Sequence, residues 1–236
     1  IDDIAETVED DLAKADDPER FGPLGVSQGW RGSLAFSASS TDGNTDTGEI
    51  SLGGRLTYGA GKWSHNYGVA AEYGRTDSTT TDEEFFVTYE ANRHFTERFY
   101  MFGIGRYNYD GIGPTEREAF LGFGPGLRVV NTDQTTWRVQ AGPGALYTET
   151  SAGADDTELS GILSSRFYHR FNDMVSLTND TDVLFSEGTT IATNDIGLNY
   201  KLTETLSTRF SYRTEFDDSR AIETDNKLGV SLVVGF

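Results

Sequence analysis

Twelve ionisable residues stand where the chain alternates between apolar and polar side chains: Arg31, Arg55, Glu72, Glu90, Arg128, Arg138, Arg166, Asp180, Asp182, Arg209, Arg213 and Glu215. The face opposite them carries Leu, Val, Phe, Tyr, Ala and Gly. Arginines and carboxylates interleaved in this way can do one of two things. They can pair into an ion network, because the planar guanidinium fork matches a carboxylate. Alternatively, the arginines can act as a lining that favours anions. The interleaved acids favour the network.

Hydrolytic chemistry fits less well. His65, His94 and His169 are the only histidines, and no nucleophile-elbow or metal motif surrounds them. They read as residues of an interface near one end of the fold, and a lipid-active enzyme is the minor alternative. The stretch STDGNTDTGE places Asp42, Asn44 and Asp46 at the spacing of the first half of a calcium loop. Thr47 then stands where such a loop needs glycine, and Gly53 where it needs the bidentate acid. The Asp-Gly and Gly-Asn pairs fit an ordinary hairpin tip; loose divalent binding by the acidic loops as a group stays open. With no cysteine there is no disulfide framework and no thiolate metal site. No cofactor and no metal is expected.

The elements that must position the charges are short strands. No apolar run approaches the roughly 18 residues of a membrane helix. Twelve alternating segments can be counted, at 30–40, 48–59, 63–74, 84–93, 98–109, 117–130, 135–148, 157–169, 174–185, 190–202, 206–216 and 226–236. The fifth, FYMFGIGRYNYD, alternates poorly because both faces carry aromatics, and the ninth is mixed. Connectors are short and long in turn, and three short ones look like copies of a single unit: His94-Phe95-Thr96-Glu97, Arg170-Phe171-Asn172-Asp173 and Lys201-Leu202-Thr203-Glu204. An even number of strands of about ten residues, with short turns at one end and long loops at the other, is the pattern of a bacterial outer-membrane barrel.

A soluble β-barrel also alternates, so the deciding question is which face must be wet. Twelve strands make a barrel too wide for an eight-strand type of side-chain filling, so its lumen is expected to be polar or plugged. The twelve charged residues then line the lumen, since an arginine facing lipid at the midplane costs roughly 2–4 kcal/mol. Trp30, Trp63 and Trp137 all lie beside short turns, as membrane-interface aromatics do. The formal net charge of −19 is concentrated in the long loops and the first 29 residues, leaving the barrel body mildly basic. This argues against nucleic acid as a partner.

The runs Gly124-Pro125-Gly126 and Gly142-Pro143-Gly144 fall on consecutive strands. If their hairpin is symmetric about residue 134, Pro125 and Pro143 are directly opposed. The four glycines then form a lumen-facing patch, read first as a bend in the wall and second as a smooth seat for a plug, loop or ligand. Residues 1–28 stand apart from the barrel at 29–236. Ile4, Val8 and Leu12 give a narrow amphipathic helix stripe, too short to be stable alone. Two prolines then end it. Residues 1–25 are read as a plug for the barrel mouth, a partner-docking segment or an acidic tail. No signal peptide is visible, and Ile1-Asp2-Asp3 reads as a mature or trimmed start.

From about Gly29 to Phe236 the chain resembles a family of salt-induced outer-membrane proteins, domain-of-unknown-function family 481. The resemblance is carried by GWRGSLAFSASSTDGNTDTGEISLGGRLTY, HFTERFYMFGIGRY and LGFGPGLRVV…VQAGPGALYTE. It implies a transmembrane β-barrel in the outer membrane of a Gram-negative cell and implies no activity. The expected fold is therefore all-β: a twelve-stranded antiparallel barrel with a short amino-terminal amphipathic helix. Both termini are expected to be periplasmic, with the acidic loops outward. The expected role is non-enzymatic, structural or partner-binding, with a largely occluded lumen; the alternative is a small porin-like channel. Expected partners are outer-membrane lipid and the barrel-assembly machinery, whose end signal the terminal Phe236 resembles. Deletion of Phe236 is expected to reduce membrane insertion more than it reduces secondary structure in solution. Fractionation beside circular dichroism checks this, and normal membrane levels of the truncated chain count against it.

Overall fold

The computed structural model describes residues 21–22, 24, 26–41, 47–77, 79–203, 205–218 and 224–235. The expected helix with Ile4, Val8 and Leu12, the hairpin tip at Asp42 to Asp46, and Phe236 lie outside the described residues.

Alternation with period two produces strands almost everywhere. Two very short ones, β1 (Phe21–Gly22) and β2 (Val26–Ser27), pair with each other. The others are β3 (Gly29–Thr41), β4 (Thr47–Ala60), β5 (Trp63–Thr76), β6 (Thr79–His94), β7 (Phe99–Asp110), β8 (Thr115–Asn131) and β9 (Thr135–Thr150). They continue with β10 (Asp155–Arg170), β11 (Val175–Ser186), β12 (Thr190–Lys201), β13 (Leu206–Asp217) and β14 (Thr224–Gly235). Strands β3 to β14 pair antiparallel in chain order, and β14 returns to β3, closing a twelve-stranded barrel. The contrast between short turns and long loops is not found: connectors are two to six residues at one end and two to four at the other, because the strands run on into segments read as loops, as at 79–84, 115–118 and 155–158. The largest boundary difference is β6, which starts at Thr79 rather than near residue 84. The β-branched run Thr79-Thr80-Thr81 extends the hairpin, and a register shift between Gly74 and Arg75 absorbs the extra residue.

One face of this sheet is apolar and bare. Leu228, Leu159 and Leu121 are 79%, 78% and 70% exposed, and similarly exposed Leu, Val, Ile, Phe and Tyr side chains recur on every barrel strand from β3 to β6 and on most others. A belt of this kind far exceeds the few hundred Å² of apolar patch that a soluble monomer shows. It suits lipid, and closure leaves the wall with few unpaired backbone groups to desolvate.

The inner face is not uniformly polar. Tyr100, Phe102 and Ile104 of β7 join Phe120, Leu146, Ile162 and Leu184 in a buried apolar cluster inside the barrel. This explains the poor alternation of FYMFGIGRYNYD: its inward positions are apolar as well as its outward ones.

The glycine wall departs from the symmetric hairpin expected for it. Gly122 pairs with Gly144 and Gly126 with Gln140, which puts Gly124 opposite Gly142 and Pro125 opposite Ala141. Pro125 and Pro143 are therefore not opposed. A bulge between Arg128 and Val130 shifts the register by one, and the turn itself is centred half a residue earlier than supposed. The two backbones approach closely there: a Cβ on Gly124 would overlap the Ala141 carbonyl oxygen, and one on Gly142 the Phe123 carbonyl oxygen. The Tyr100 ring lies over Gly126, and the Phe120 ring over Gly122 and Gly144. Glycines here let aromatic rings lie flat against the wall. Gly124→Ala and Gly142→Ala are each expected to cut the folded fraction severalfold, as read by heat-modifiable gel mobility. Gly103→Ala, which meets nothing within 4 Å, is expected to fold normally.

Candidate functional site: the interior of the barrel

The inward side chains are built from both ends of the twelve-residue charged set, and two carboxylates act as hubs. Glu90 on β6 is 7% exposed. Its Oε1 accepts hydrogen bonds from Asn92 Nδ2 at 2.8 Å and Arg138 Nη1 at 3.3 Å, and its Oε2 from Gln140 Nε2 at 2.8 Å. Gln140 in turn accepts from the Tyr100 hydroxyl at 3.0 Å, which ties the ionic hub to the apolar cluster. Asp182 on β11 takes a two-point contact from Arg166 Nη2, at 3.0 and 2.8 Å, and a second guanidinium from Arg106 at 2.8 Å. Arg166 also donates to the Thr181 carbonyl at 3.0 Å and stands 3.6 Å from Asp180.

These contacts cross the barrel. Glu90 and Arg138 sit three strands apart, and Arg106 and Asp182 four. In a round twelve-stranded barrel with strands about 4.8 Å apart and tilted ~40°, walls four strands apart stand roughly 20 Å from each other. An arginine and an aspartate together fall well short of that span. The β6 to β11 side of the wall is therefore drawn inward around its own side chains.

The remaining charged positions are distributed around the wall. Arg209 pairs with Asp195 on the neighbouring strand. Glu72 pairs with Lys227, which also reaches Glu49 at 3.0 Å. Arg213 stands 3.7 Å from Glu215 on its own strand. Arg55 is within electrostatic reach of Asp180, Arg166, Arg138 and Arg209, and Arg31 is half-buried on β3. Arg128 lies at the short-turn end, donating to the Leu24 carbonyl at 3.2 Å and the Glu97 carbonyl at 3.3 Å. Sequence reasoning passed over Arg106, Gln140, Asn92, Asp195, Glu49 and Lys227. Arg106 was hidden by the poor alternation of its segment, although it shares the parity of Tyr100, Phe102 and Ile104.

A small structure covers part of the short-turn end. The β1–β2 hairpin buries Val26 to 2% exposure. Gln28 next to it clasps the β4–β5 turn, donating from Nε2 to the Gly61 carbonyl at 3.2 Å and accepting the Gly61 N–H at 2.7 Å. Leu24, at the hairpin tip, holds a φ of 70° and is bound by Arg128 from β8. The hairpin thus bridges from the β4–β5 turn to β8.

The aromatic belt surrounds the same end. Trp30 packs on Tyr58 at 4.5 Å, Trp63 stacks on His65, and His65 Nδ1 is 2.9 Å from the Tyr89 hydroxyl. Trp137 Nε1 donates to Ser165 Oγ at 3.0 Å. His169 lies 2.8 Å from Thr135 Oγ1 and edge-on to Phe171. His94 differs from the interface role expected for it. It is 5% exposed, points inward, and sits 3.3 Å from Ser64 Oγ and beside Tyr100. The reason is parity: it shares the face of Glu90 and Asn92.

The hubs make a direct prediction. Asp182→Ala leaves Arg106 and Arg166 facing each other without their shared carboxylate, and is expected to cost about 3 kcal/mol, read from the urea midpoint in lipid. Asp180→Ala, at a longer and wetter contact, is expected to cost less than about 1 kcal/mol.

A model for the family DUF481, proteins of unknown function, matches residues 34–236. None of the curated proteins matches the chain. Among solved structures it is similar to an outer-membrane channel of Pseudomonas putida F1, at 13% identity and a TM-score of 0.51, covering 93% of this chain and 99% of that one. It is also similar to the NanC porin, at 8% identity, a TM-score of 0.49 and coverage of 87% and 97%. The translocator domain of the autotransporter NalP from Neisseria meningitidis is 11% identical, with a TM-score of 0.49 and coverage of 88% of both chains. At these identities the first likeness is one of fold. The family match, the closed twelve-stranded wall and its apolar outer belt together make the chain a member of DUF481 with the porin-like fold of outer-membrane β-barrels.

Proposed function

We propose that this protein is a non-enzymatic outer-membrane barrel whose lumen is occluded at rest, with a structural or partner-presenting role in place of an open diffusion pore. The observation that carries the reading is the set of cross-barrel contacts at Glu90 and Asp182, packed against the apolar cluster. Water-filled pores keep their lining charges apart and wet. Here Gln140, Asn92 and Ile104 are 4%, 1% and 3% exposed. The β1–β2 hairpin across part of the short-turn end supports the same reading.

In this proposal the short-turn end, with its Trp belt, is periplasmic and holds both termini. The opposite, acidic end faces outward. Outer-membrane lipid contacts the apolar belt, and the barrel-assembly machinery inserts the chain. Residues 1–25 are the segment proposed to meet a protein partner or the barrel mouth.

A second reading, a small porin-like channel, is favoured by a specific feature. The wall opposite the cluster carries small inward residues such as Ser33, Ala35, Gly53, Ser211 and Gly229, and the Pseudomonas putida F1 relative of similar fold is described as a channel. Planar-bilayer recording separates the two. The native protein is expected to give no steps above background. Phe102→Ala combined with Ile104→Ala is expected to produce steps by opening the cluster. Large steady steps from the native protein overturn the occluded reading. In that event Arg209→Glu with Arg213→Glu is expected to move ion preference toward cations.

A further inference from the structure

The outer belt is apolar on one side of the barrel and interrupted on the other. Midway along β3 to β9 the outward side chains are apolar, as Leu34, Leu52, Val69, Val87 and Phe123 are. On β10 to β14 a polar row takes their place. Ser165 pairs with Thr181, Thr181 with Asn194, Asn194 with Thr214 and Thr214 with Asn226, one residue per strand. All five face outward, because they share the parity of Leu163, Phe185, Ile196, Phe210 and Leu228, which are exposed. At the centre of the row, Asn179 and Thr181 are the fifth and seventh of the twelve residues of β11, and Asn194 is the fifth of the twelve of β12. With about 3.3 Å per residue and a strand tilt of ~40°, they lie about 10 Å or more from either strand end, at the level of acyl chains and away from headgroups.

These side chains spend only part of their hydrogen-bonding capacity on one another. Asn194 Nδ2 donates to Thr181 Oγ1 at 2.7 Å, and the Thr181 hydroxyl donates to Asn179 Oδ1 at 3.4 Å. Among the described residues, the Nδ2 hydrogens of Asn179 and the Oδ1 of Asn194 have no partner. An amide left in this state in hydrocarbon is costly, and acyl chains neither donate nor accept. Lipid is therefore a poor neighbour for the middle of this face. Beside the row the surface is hollowed. Ala141, Pro143, Gly161, Leu163 and Phe185 of β9 to β11 line an open apolar hollow of about 480 Å³. The Phe185 ring lies over Gly161, where a Cβ would overlap it. Small residues at such a place let a neighbouring membrane-spanning segment come close.

We propose that the outer face of β10 to β12 is the contact between two copies of this chain. Copies inserted in the same direction are related by a two-fold axis along the membrane normal, which lays this face on itself. An axis at β11 brings Asn179 against the same amide of the second copy. Each amide then offers N–H donors and an oxygen with a lone pair to spare, so the two bond reciprocally. The face is thus complementary to itself, and a second copy supplies what acyl chains lack. Polar side chains act as glue between membrane-spanning segments in this way. Such a contact leaves the lumen untouched, so it holds for an occluded and an open barrel alike.

The test uses the full chain in the outer membrane of Gram-negative host cells, with one cysteine introduced into a sequence that has none. Val183→Cys stands on β11 two positions from Thr181, on the same face. Val69→Cys, on β5, faces lipid six strands away in the twelve-stranded wall. Oxidation with copper phenanthroline is expected to link Val183→Cys into a species of twice the chain's mass on non-reducing gels, with a yield severalfold above that of Val69→Cys. Adding Asn179→Leu and Asn194→Leu is expected to lower that yield severalfold while heat-modifiable mobility stays native, since both changes put apolar side chains toward lipid. Equal linking at the two cysteine positions overturns the contact, whatever the leucines do to folding. Linking unaffected by the leucines in a barrel of native mobility overturns the role of the amides. A linked species of any other mass assigns the face to a different membrane protein and overturns the second copy as its occupant.

Discussion

The hydrocarbon of a membrane offers no hydrogen-bond partner, so each backbone N–H and C=O of a spanning segment must find one within the protein. Everything else about this barrel follows from that constraint. It demands antiparallel ladders that close on themselves, and the chain supplies them in sequence order with short turns at one end. It also turns a protein inside out: the apolar side chains face outward, and the polar and charged ones face one another within.

An interior built from charge faces its own constraint. A buried guanidinium or carboxylate is tolerated only when partnered and hydrogen-bonded. Glu90 and Asp182 meet that requirement by gathering donors from strands three and four apart. The contacts draw the wall inward, and the glycines of β8 and β9 then make room for the rings of Tyr100 and Phe120 to lie flat. Ionic hubs, aromatic cluster and glycine wall are thus one packed unit. On the far side of the barrel from it, β14 and β3 pair over four of the described residues.

Much of this was legible in the residues. Trp30, Gly32, Leu34 and Phe36 alternating with Arg31, Ser33, Ala35 and Ser37 state a two-sided strand outright, because successive side chains in a strand point to opposite faces. All twelve barrel strands could be located in this way. The segment from Phe99 to Asp110 was the weak one, since Tyr100, Phe102 and Ile104 face inward yet are apolar. Arg106 was lost with it. The Pro125–Pro143 pairing was misjudged because a hairpin's register depends on its turn and on any bulge, and the bulge after Arg128 leaves no local mark in the sequence. His94 was set at the interface on its nearness to a turn, when its parity with Glu90 pointed inward.

What the sequence determined by itself was every property with a local period: strand positions, the apolar outer face, the charged inner one and the Trp belt beside the short turns. Period two needs only adjacent residues to be expressed. What only the tertiary structure decided was which inward residues meet. Arg106 with Asp182, Arg138 with Glu90, Gly124 with Gly142 and Lys227 with Glu49 are separated by 18 to 178 residues. Their meeting depends on strand count, register and the flattening of the wall, which are properties of the closed ladder as a whole. The short β14–β3 seam belongs to the same class, because the last pairing in a barrel is set by the sum of all the registers before it.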